Sequence, residues 1–213
     1  MTLWEELAAL GSATVYEAAG RQGLVDASFV QVVPGSRVAG PARTVRCGQD
    51  DNLMVHAVMA SIEPGDVVVL TMPEPRAVAL VGELLATQAI GRGAAALLVD
   101  ASIRDVEELR ELGLPIWARW VRIRGATKTV PGSIDEPVEV GSCRIEPGDA
   151  VVLDADGAAV VAQARIGEVL AASRERAERA AHRGNHARRA SGRNEVRFAE
   201  AFQRMIPQVV GQL

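Results

Sequence analysis

Aromatic side chains are scarce in this chain, with three tryptophans, one tyrosine and three phenylalanines in 213 residues. Its core must therefore be filled by valine, leucine, isoleucine and alanine. Cysteine is nearly absent. Cys47 and Cys143 stand far apart, form no metal-type pair and are expected to be free thiols in a reducing compartment. No apolar run approaches the ~18 residues of a membrane-spanning helix, so no membrane association is expected. Met1-Thr2-Leu3-Trp4-Glu5-Glu6 has neither the basic region nor the apolar core of a secretion signal, and a cytoplasmic protein is expected. A strong charge of either sign is missing too. The formal net charge of −4 makes nucleic acid an unfavoured partner. Lys128 is the only lysine beside 22 arginines, so only one side chain could form a Schiff base.

What is abundant is aliphatic residue, interrupted by turn signals. With 48% hydrophobic residues over 213 positions, one domain with an ample core is expected. We place it at 1–184, followed by an arginine-rich tail at 185–213. Leu3, Leu7, Leu10 and Val15 fall near helical spacing, and Gly11-Ser12-Ala13-Thr14 breaks that helix, with Ser12 or Thr14 as a cap. Short β runs fill 30–45. A helix is predicted over 52–60 behind Asp50-Asp51-Asn52, then a strand at Val67–Leu70. A helix over 77–91 and a strand over 94–99 follow, then a loop from Asp100 to Arg104. A helix over 105–112 stops at Gly113, and Pro115–Ala118 reads as another strand. The segment 120–162 is β-rich, and a charged helix covers 165–182. The phrase Glu-Pro-Gly-Asp-x-Val-Val-Leu occurs at 63–70 and again at 146–153, which we read as one turn-and-strand device used twice. Helix–strand alternation beside a β-rich half gives an α/β class with mixed sheets. In the tail, Phe198, Phe202, Met205 and Val209 have amphipathic spacing suited to docking on the body or on a neighbouring subunit.

The stretch from Gly82 to Asp105 carries the chemistry. Gly82-Glu83-Leu84-Leu85 opens a helix, whose first N–H groups point at an anion, and Gly82 permits close approach. Arg104 and Asp105 follow about twenty residues later, beyond a buried strand. A guanidinium grips a carboxylate in bidentate fashion, and a cation on Asp105 would polarise a keto oxygen. Together these parts suit a 2-oxo acid. The plainer reading, that Asp105 caps the next helix and Arg104 is a surface charge, stands beside it. His182 and His186 are four apart but lack a third ligand, and read as solvated. His56 reads as a structural hydrogen-bonding histidine, and Lys128 as a neutralising residue in a β-loop.

Further phrases join this stretch: Gly35-Ser36-Arg37-Val38-Ala39-Gly40-Pro41, Asp51-Asn52-Leu53-Met54-Val55-His56, Pro64-Gly65-Asp66, Leu112-Gly113-Leu114-Pro115-Ile116-Trp117-Ala118-Arg119, Pro147-Gly148-Asp149 and Asp154-Ala155-Asp156-Gly157. In this order and spacing the chain, over roughly 12–180, resembles the RraA-like group. That group includes metal-dependent 4-hydroxy-4-methyl-2-oxoglutarate and 4-carboxy-4-hydroxy-2-oxoadipate aldolases. The resemblance implies a layered α/β/β/α sandwich with mixed sheets. It implies that Gly82, Glu83, Leu84, Leu85 and Arg104 bind substrate, that Glu83 and Arg104 serve catalysis, and that Asp105 is the metal ligand. The implied cofactor is a divalent cation, Mg2+ or Mn2+, held mostly through waters.

The implied reaction is retro-aldol cleavage to pyruvate through its enolate, with a water held by Glu83 taking the C4-hydroxyl proton. Oxaloacetate decarboxylation is the implied side activity. The implied assembly is a homotrimer or homohexamer with sites at subunit interfaces, Glu178 or Glu175 entering from the neighbour. Some relatives instead bind and inhibit a ribonuclease without catalysis. An older family label, a menaquinone methyltransferase, finds no glycine-rich nucleotide loop here. The chain departs from the group in having Glu83 where aspartate is common, Met72-Pro73-Glu74-Pro75-Arg76 in place of a glycine-rich loop, and Tyr16-Glu17.

Overall fold

A computed structural model describes residues 1–182 and divides the chain into two units, Met1–Ser173 and Arg174–Leu213. Phe198, Phe202, Met205, Val209 and His186 lie outside the described residues. The sheets and the site belong to the first unit. Its elements are helices α1 (Leu3–Leu10), α2 (Ser12–Ala18), α3 (Leu53–Val58), α4 (Glu83–Arg92) and α5 (Val106–Leu112), with strands β1 (Val30–Gln31), β2 (Val38–Arg46), β3 (Val67–Thr71), β4 (Ala79–Val81), β5 (Ala96–Ile103), β6 (Ile116–Val121), β7 (Ser133–Ile134), β8 (Val138–Val140), β9 (Cys143–Ile145), β10 (Ala150–Asp154) and β11 (Gly157–Val161). A 3-10 turn at Gln163–Arg165 leads into a further helix, α6, which the described residues show over 166–182. Among the described residues no helix is long and apolar enough to cross a membrane.

The main sheet runs β1-β6-β5-β3-β2-β10-β11, with β4 added on β5 and β7 on β2. The long strand β2 joins two kinds of sheet. Its Val38–Pro41 pair antiparallel with β10, and its Ala42–Arg46 pair parallel with β3. Both partners arrive by the repeated phrase. In one copy the Glu63 N–H donates to the Asp66 carboxylate at 2.9 Å and the Asp66 N–H to the Glu63 carbonyl at 3.1 Å. The other copy has Glu146 to Asp149 at 2.9 Å and Asp149 to Glu146 at 3.1 Å.

Alternation along the strands sorts the core into layers. Val68, Leu70, Leu97 and Val99 face α3, α4 and α5. Val67, Val69, Ala96 and Leu98 pack on Val151, Leu153 and Ile145, sheet against sheet. Val152 and Ala150 face Leu7, Val15 and Val169 of the other helices. The result is the expected α/β/β/α sandwich. Aliphatics fill it, and Trp117 is the largest fully buried side chain.

Several local expectations change. The helix expected over 77–91 begins only at Glu83. Ahead of it Ala79–Val81 form a strand on β5, because four consecutive apolar residues, Val78 to Val81, are all buried and sheet pairing overrides helix propensity. The loop expected from Asp100 is strand as far as Ile103. Neither Ser12 nor Thr14 caps α2. Gly11 stands at that cap, and Ser12 donates its N–H and hydroxyl to Asp154 at 2.8 and 2.6 Å. At α3 the cap residue Asn52 makes no side-chain cap bond, and the Asp51 carboxylate takes the Leu53 N–H at 2.8 Å instead.

Candidate active site

Parallel pairing brings the carboxyl ends of β4 and β5 together, Val81 opposite Ile103. In such sheets ligands sit beyond those ends. Each strand then leads into a helix, α4 after Gly82 and α5 after Asp105. A Cβ at Gly82 would collide with the Asp105 carboxylate and press on the Arg104 side chain at 3.3 Å, so glycine is required for this approach. Its φ of −142° is ordinary extended backbone.

Asp105 does not cap its own helix. It stands in the left-handed region at φ 60° with no side-chain bond to α5, a conformation that aspartate tolerates better than most side chains. Its Oδ2 reaches across to the start of α4, accepting the Glu83 N–H at 3.2 Å, and lies 3.7 Å from Arg104 Nε. Its Oδ1 has no hydrogen-bond partner among the described residues, and Asp105 is 40% exposed on its side chain. The plain capping reading of Asp105 therefore fails in its stated form.

The six residues singled out within the Gly82–Asp105 stretch, Gly82, Glu83, Leu84, Leu85, Arg104 and Asp105, line one cavity of about 440 Å³. Leu84 is 79% exposed, whereas Leu85 is in the core, so what Leu85 offers a ligand is backbone. N–H groups in the first turn of a helix have no acceptor within it. Asp105 takes that of Glu83, which leaves those of Leu84 and Leu85 for an anion. Glu175 and Glu178 are exposed on the second unit, where Glu175 lies 4.0 Å from Arg179.

Four polar side chains that also line the cavity were not assigned to the site from the sequence: Asn52, His56, Glu108 and Lys128. His56 is exposed and no ring hydrogen bond holds it among the described residues, which corrects its reading as a structural histidine. Lys128, read from the sequence as a neutralising loop residue, has no ion-pair partner among the described residues and lines the same cavity. Asn52 is buried. Its Nδ2 donates to the Leu80 carbonyl at 3.0 Å while its Oδ1 is left without a partner. That carbonyl sits in the register irregularity of β4 against β5. A second irregularity lies in β5 between Val99 and Ser102 against β6, and there buried Asp100 pairs with Arg119 Nε. Irregularities of this kind redirect a strand locally, and this one lies just ahead of Arg104. Spacing alone would have tied Asn52 and His56, four apart on one helix face, but nothing in the sequence tied either to Lys128.

Burial shapes the ionisable groups around the site. Burial pushes the Asp51 carboxyl up, but four donated hydrogen bonds outweigh it and hold it far below the usual carboxylate range. Burial pushes Asp100 up, partly offset by Arg119. Burial, helped by the charge of Asp51, pushes the Cys47 thiol up to about 12, so Cys47 is no nucleophile at neutral pH.

Among the described residues no cluster of three or more His, Cys, Asp or Glu forms a metal cage. The open Oδ1 of Asp105 fits a hard cation that keeps most of its waters and completes its shell with substrate oxygens. It does not fit a zinc-type site with three or four protein ligands.

The profile of the family described as "RraA-like: Aldolase/RraA" matches residues 12–161. A protein of Halalkalibacterium halodurans named "Putative 4-hydroxy-4-methyl-2-oxoglutarate aldolase" is 37% identical over 134 residues, covering 63% of this chain and 64% of that protein, under two thirds of its length. The crystal structure of Streptomyces coelicolor RraAS2, titled an unusual member of the RNase ES inhibitor RraA protein family, superposes with a TM-score of 0.73 at 30% identity, covering 83% of this chain and 92% of that one. A Geobacillus kaustophilus structure titled S-adenosylmethionine: 2-dimethylmenaquinone methyltransferase gives 0.66 at 30% identity, over 71% and 94%.

Proposed function

This chain belongs to the RraA-like family, and on that premise we propose that it is a divalent-cation-dependent lyase that cleaves a 4-hydroxy-2-oxo diacid or triacid to pyruvate in the cytoplasm. One observation carries the reading. Arg104, the open oxygen of Asp105 and the unclaimed N–H groups of Leu84 and Leu85 border a single cavity.

A cation held by Asp105 supplies Lewis acidity toward the keto oxygen. The chain's own residues do the rest. The 2-oxo acid carboxylate binds at the Leu84 and Leu85 N–H groups, where the helix start favours negative charge. Arg104 bridges that carboxylate and the keto oxygen, and its guanidinium stabilises the enolate as charge develops there. Glu83, at the mouth, holds the water that takes the C4-hydroxyl proton. The C3–C4 bond then breaks, its electrons forming the pyruvate enolate, C4 leaves as the new carbonyl, and the proton taken by the water is returned to C3 of the enolate, giving pyruvate. Lys128 adds a second cation for a distal carboxylate, which suits a substrate with two or three of them. Oxaloacetate decarboxylation shares the enolate and is the side activity. The active assembly is a homotrimer or homohexamer in which Glu178 or Glu175 of a second copy completes the site.

The test is pyruvate release, coupled to lactate dehydrogenase, from 4-hydroxy-4-methyl-2-oxoglutarate and from oxaloacetate. It is run with Mg2+, with Mn2+ and with EDTA. Cation-dependent turnover is expected on both. A folded protein inert on both under every condition would sink the reading. It would favour the second reading, a ribonuclease-binding regulator, which the likeness to the Streptomyces coelicolor protein supports.

A further inference from the structure

We propose that Asp51 is a positioning residue for this site: its buried carboxylate clamps the 127–130 loop and thereby fixes Lys128 at the cavity. The inference rests on the proposed lyase reading for its kinetic test, though its geometry is independent of it.

Asp51 is fully buried, and its carboxylate holds both the 127–130 loop and the start of α3. Its Oδ2 accepts the Thr127 hydroxyl at 2.6 Å, the Thr129 N–H at 2.6 Å and the Val130 N–H at 3.0 Å. These donors stand on both sides of Lys128. Its Oδ1 accepts the Leu53 N–H at 2.8 Å, which sets the start of α3 and so the places of Asn52 and His56. The backbone repeats the link. Thr127 donates to the Asp50 carbonyl and Asn52 to the Thr127 carbonyl, each at 2.9 Å. Two glycines let the strands of this clamp lie close, since a Cβ at Gly48 would run into Val130 and one at Gly132 into the Arg46 carbonyl.

The loop needs such a clamp. Between the end of β6 at Val121 and the start of β7 at Ser133 no regular element exists. The loop is held by isolated bridges, Asp51 to Thr127 and Ala79 to Gly125, and by the bonds above. Lys128 itself is exposed, has no ion-pair partner among the described residues and lines the cavity with Arg104 and Asp105. A lysine is a point charge on a flexible stem, so where its ammonium dwells depends on how firmly its backbone is anchored. A bound substrate misplaced by about 1 Å through a change away from the reacting atoms loses on the order of a hundredfold in rate.

The sequence makes the test clean, because Lys128 is the only lysine. Kinetics come first, with Asp51→Asn, Thr127→Val, Lys128→Met and each clamp variant combined with Lys128→Met. Thr127→Val alters an exposed residue and keeps the buried carboxylate, so it serves if Asp51→Asn fails to fold. Positioning predicts a kcat loss of about ten- to a hundredfold for Asp51→Asn and several-fold for Thr127→Val, no further loss when Thr127→Val is added to Lys128→Met, and a smaller loss than in wild type when Asp51→Asn is added, since Asp51 also holds the start of α3. Losses that multiply undiminished in the Lys128→Met background would show a merely structural role and overturn the proposal.

Spectroscopy supplies the arm that does not need turnover. Reductive methylation with 13C-formaldehyde labels only Lys128 and the N-terminal amine. The Lys128 methyl resonance is expected to move or sharpen on going from wild type to Thr127→Val. If wild type is inert on 2-oxo acids the lyase reading falls, and this signal alone judges the clamp. Identical resonances in the two proteins would overturn it.

Discussion

Two carboxylates stand just before helices on the same side of the sheet and share almost nothing else. Asp51, before α3, is fully buried and accepts four hydrogen bonds. Asp105, before α5, is 40% exposed on its side chain, accepts one hydrogen bond and keeps an oxygen open. Where every lone pair is claimed by a fixed donor, a carboxylate is architecture, and its loss is felt in folding and positioning. Where one is left open at a cavity it is available to a cation or substrate, and its loss is felt in chemistry. The contrast predicts opposite responses to similar substitutions.

The largest effect is expected from Asp105→Ala, a loss of about a thousandfold in pyruvate release with a melting temperature close to wild type. A fall in stability equal to that of Asp51→Asn would erase the contrast. Next comes Asp51→Asn, where an amide must meet N–H donors with an N–H of its own. Urea unfolding is expected to show a loss of about 2–4 kcal/mol at neutral pH. The pH dependence follows with its sign. Asp51 titrates lower in the folded protein than its ordinary value. The stability it contributes is therefore full above the unfolded carboxyl value, roughly pH 4, and is lost as pH falls toward the folded one. The gap between wild type and Asp51→Asn should stay constant from pH 7 to about pH 5 and narrow below about pH 4. A gap that widens in acid would contradict the assignment.

Gly82→Ala probes the contact between the two turns. Its backbone accepts alanine, so the expected result is a near-native fold with a loss of about tenfold or more in kcat, as the new methyl displaces the Asp105 carboxylate. The smallest effect is expected from Glu83→Asp. It keeps a carboxylate at the mouth and should retain activity within about tenfold of wild type, whereas Glu83→Gln should not.

The sequence made the Asp105 side of this contrast visible and hid the other. Gly82-Glu83-Leu84-Leu85 and Arg104-Asp105 are local phrases, and the strand between them was plain in Ala94–Val99, so their meeting could be expected. That β4 would form from Val78–Val81 could not, since those residues also suit a helix and only the neighbouring end of β5 decides. The same holds for the bulges at Leu80 and at Asp100–Ala101. They depend on register between strands, which one strand's sequence does not encode. Asp51 was legible as capping chemistry for α3, but three of its four donors come from residues 127–130, more than seventy positions on. The placing of Lys128 and His56 on one cavity was hidden for that reason. Their neighbours in sequence are bland and their neighbours in space are the site. The repeated Glu-Pro-Gly-Asp turn shows the opposite case, a device whose bonds lie within four residues, read from the sequence and found twice at matching distances.

The most direct measurement is a Mn2+ titration followed by electron paramagnetic resonance on wild type, Asp105→Ala and Thr127→Val, with and without oxalate as a mimic of the pyruvate enolate. The expected result is saturable binding of one ion per chain in wild type and in Thr127→Val, strengthened by oxalate, and its loss in Asp105→Ala. Undiminished Mn2+ binding by a folded Asp105→Ala protein would contradict the claim that the open oxygen of Asp105 is where the chemistry of this chain resides.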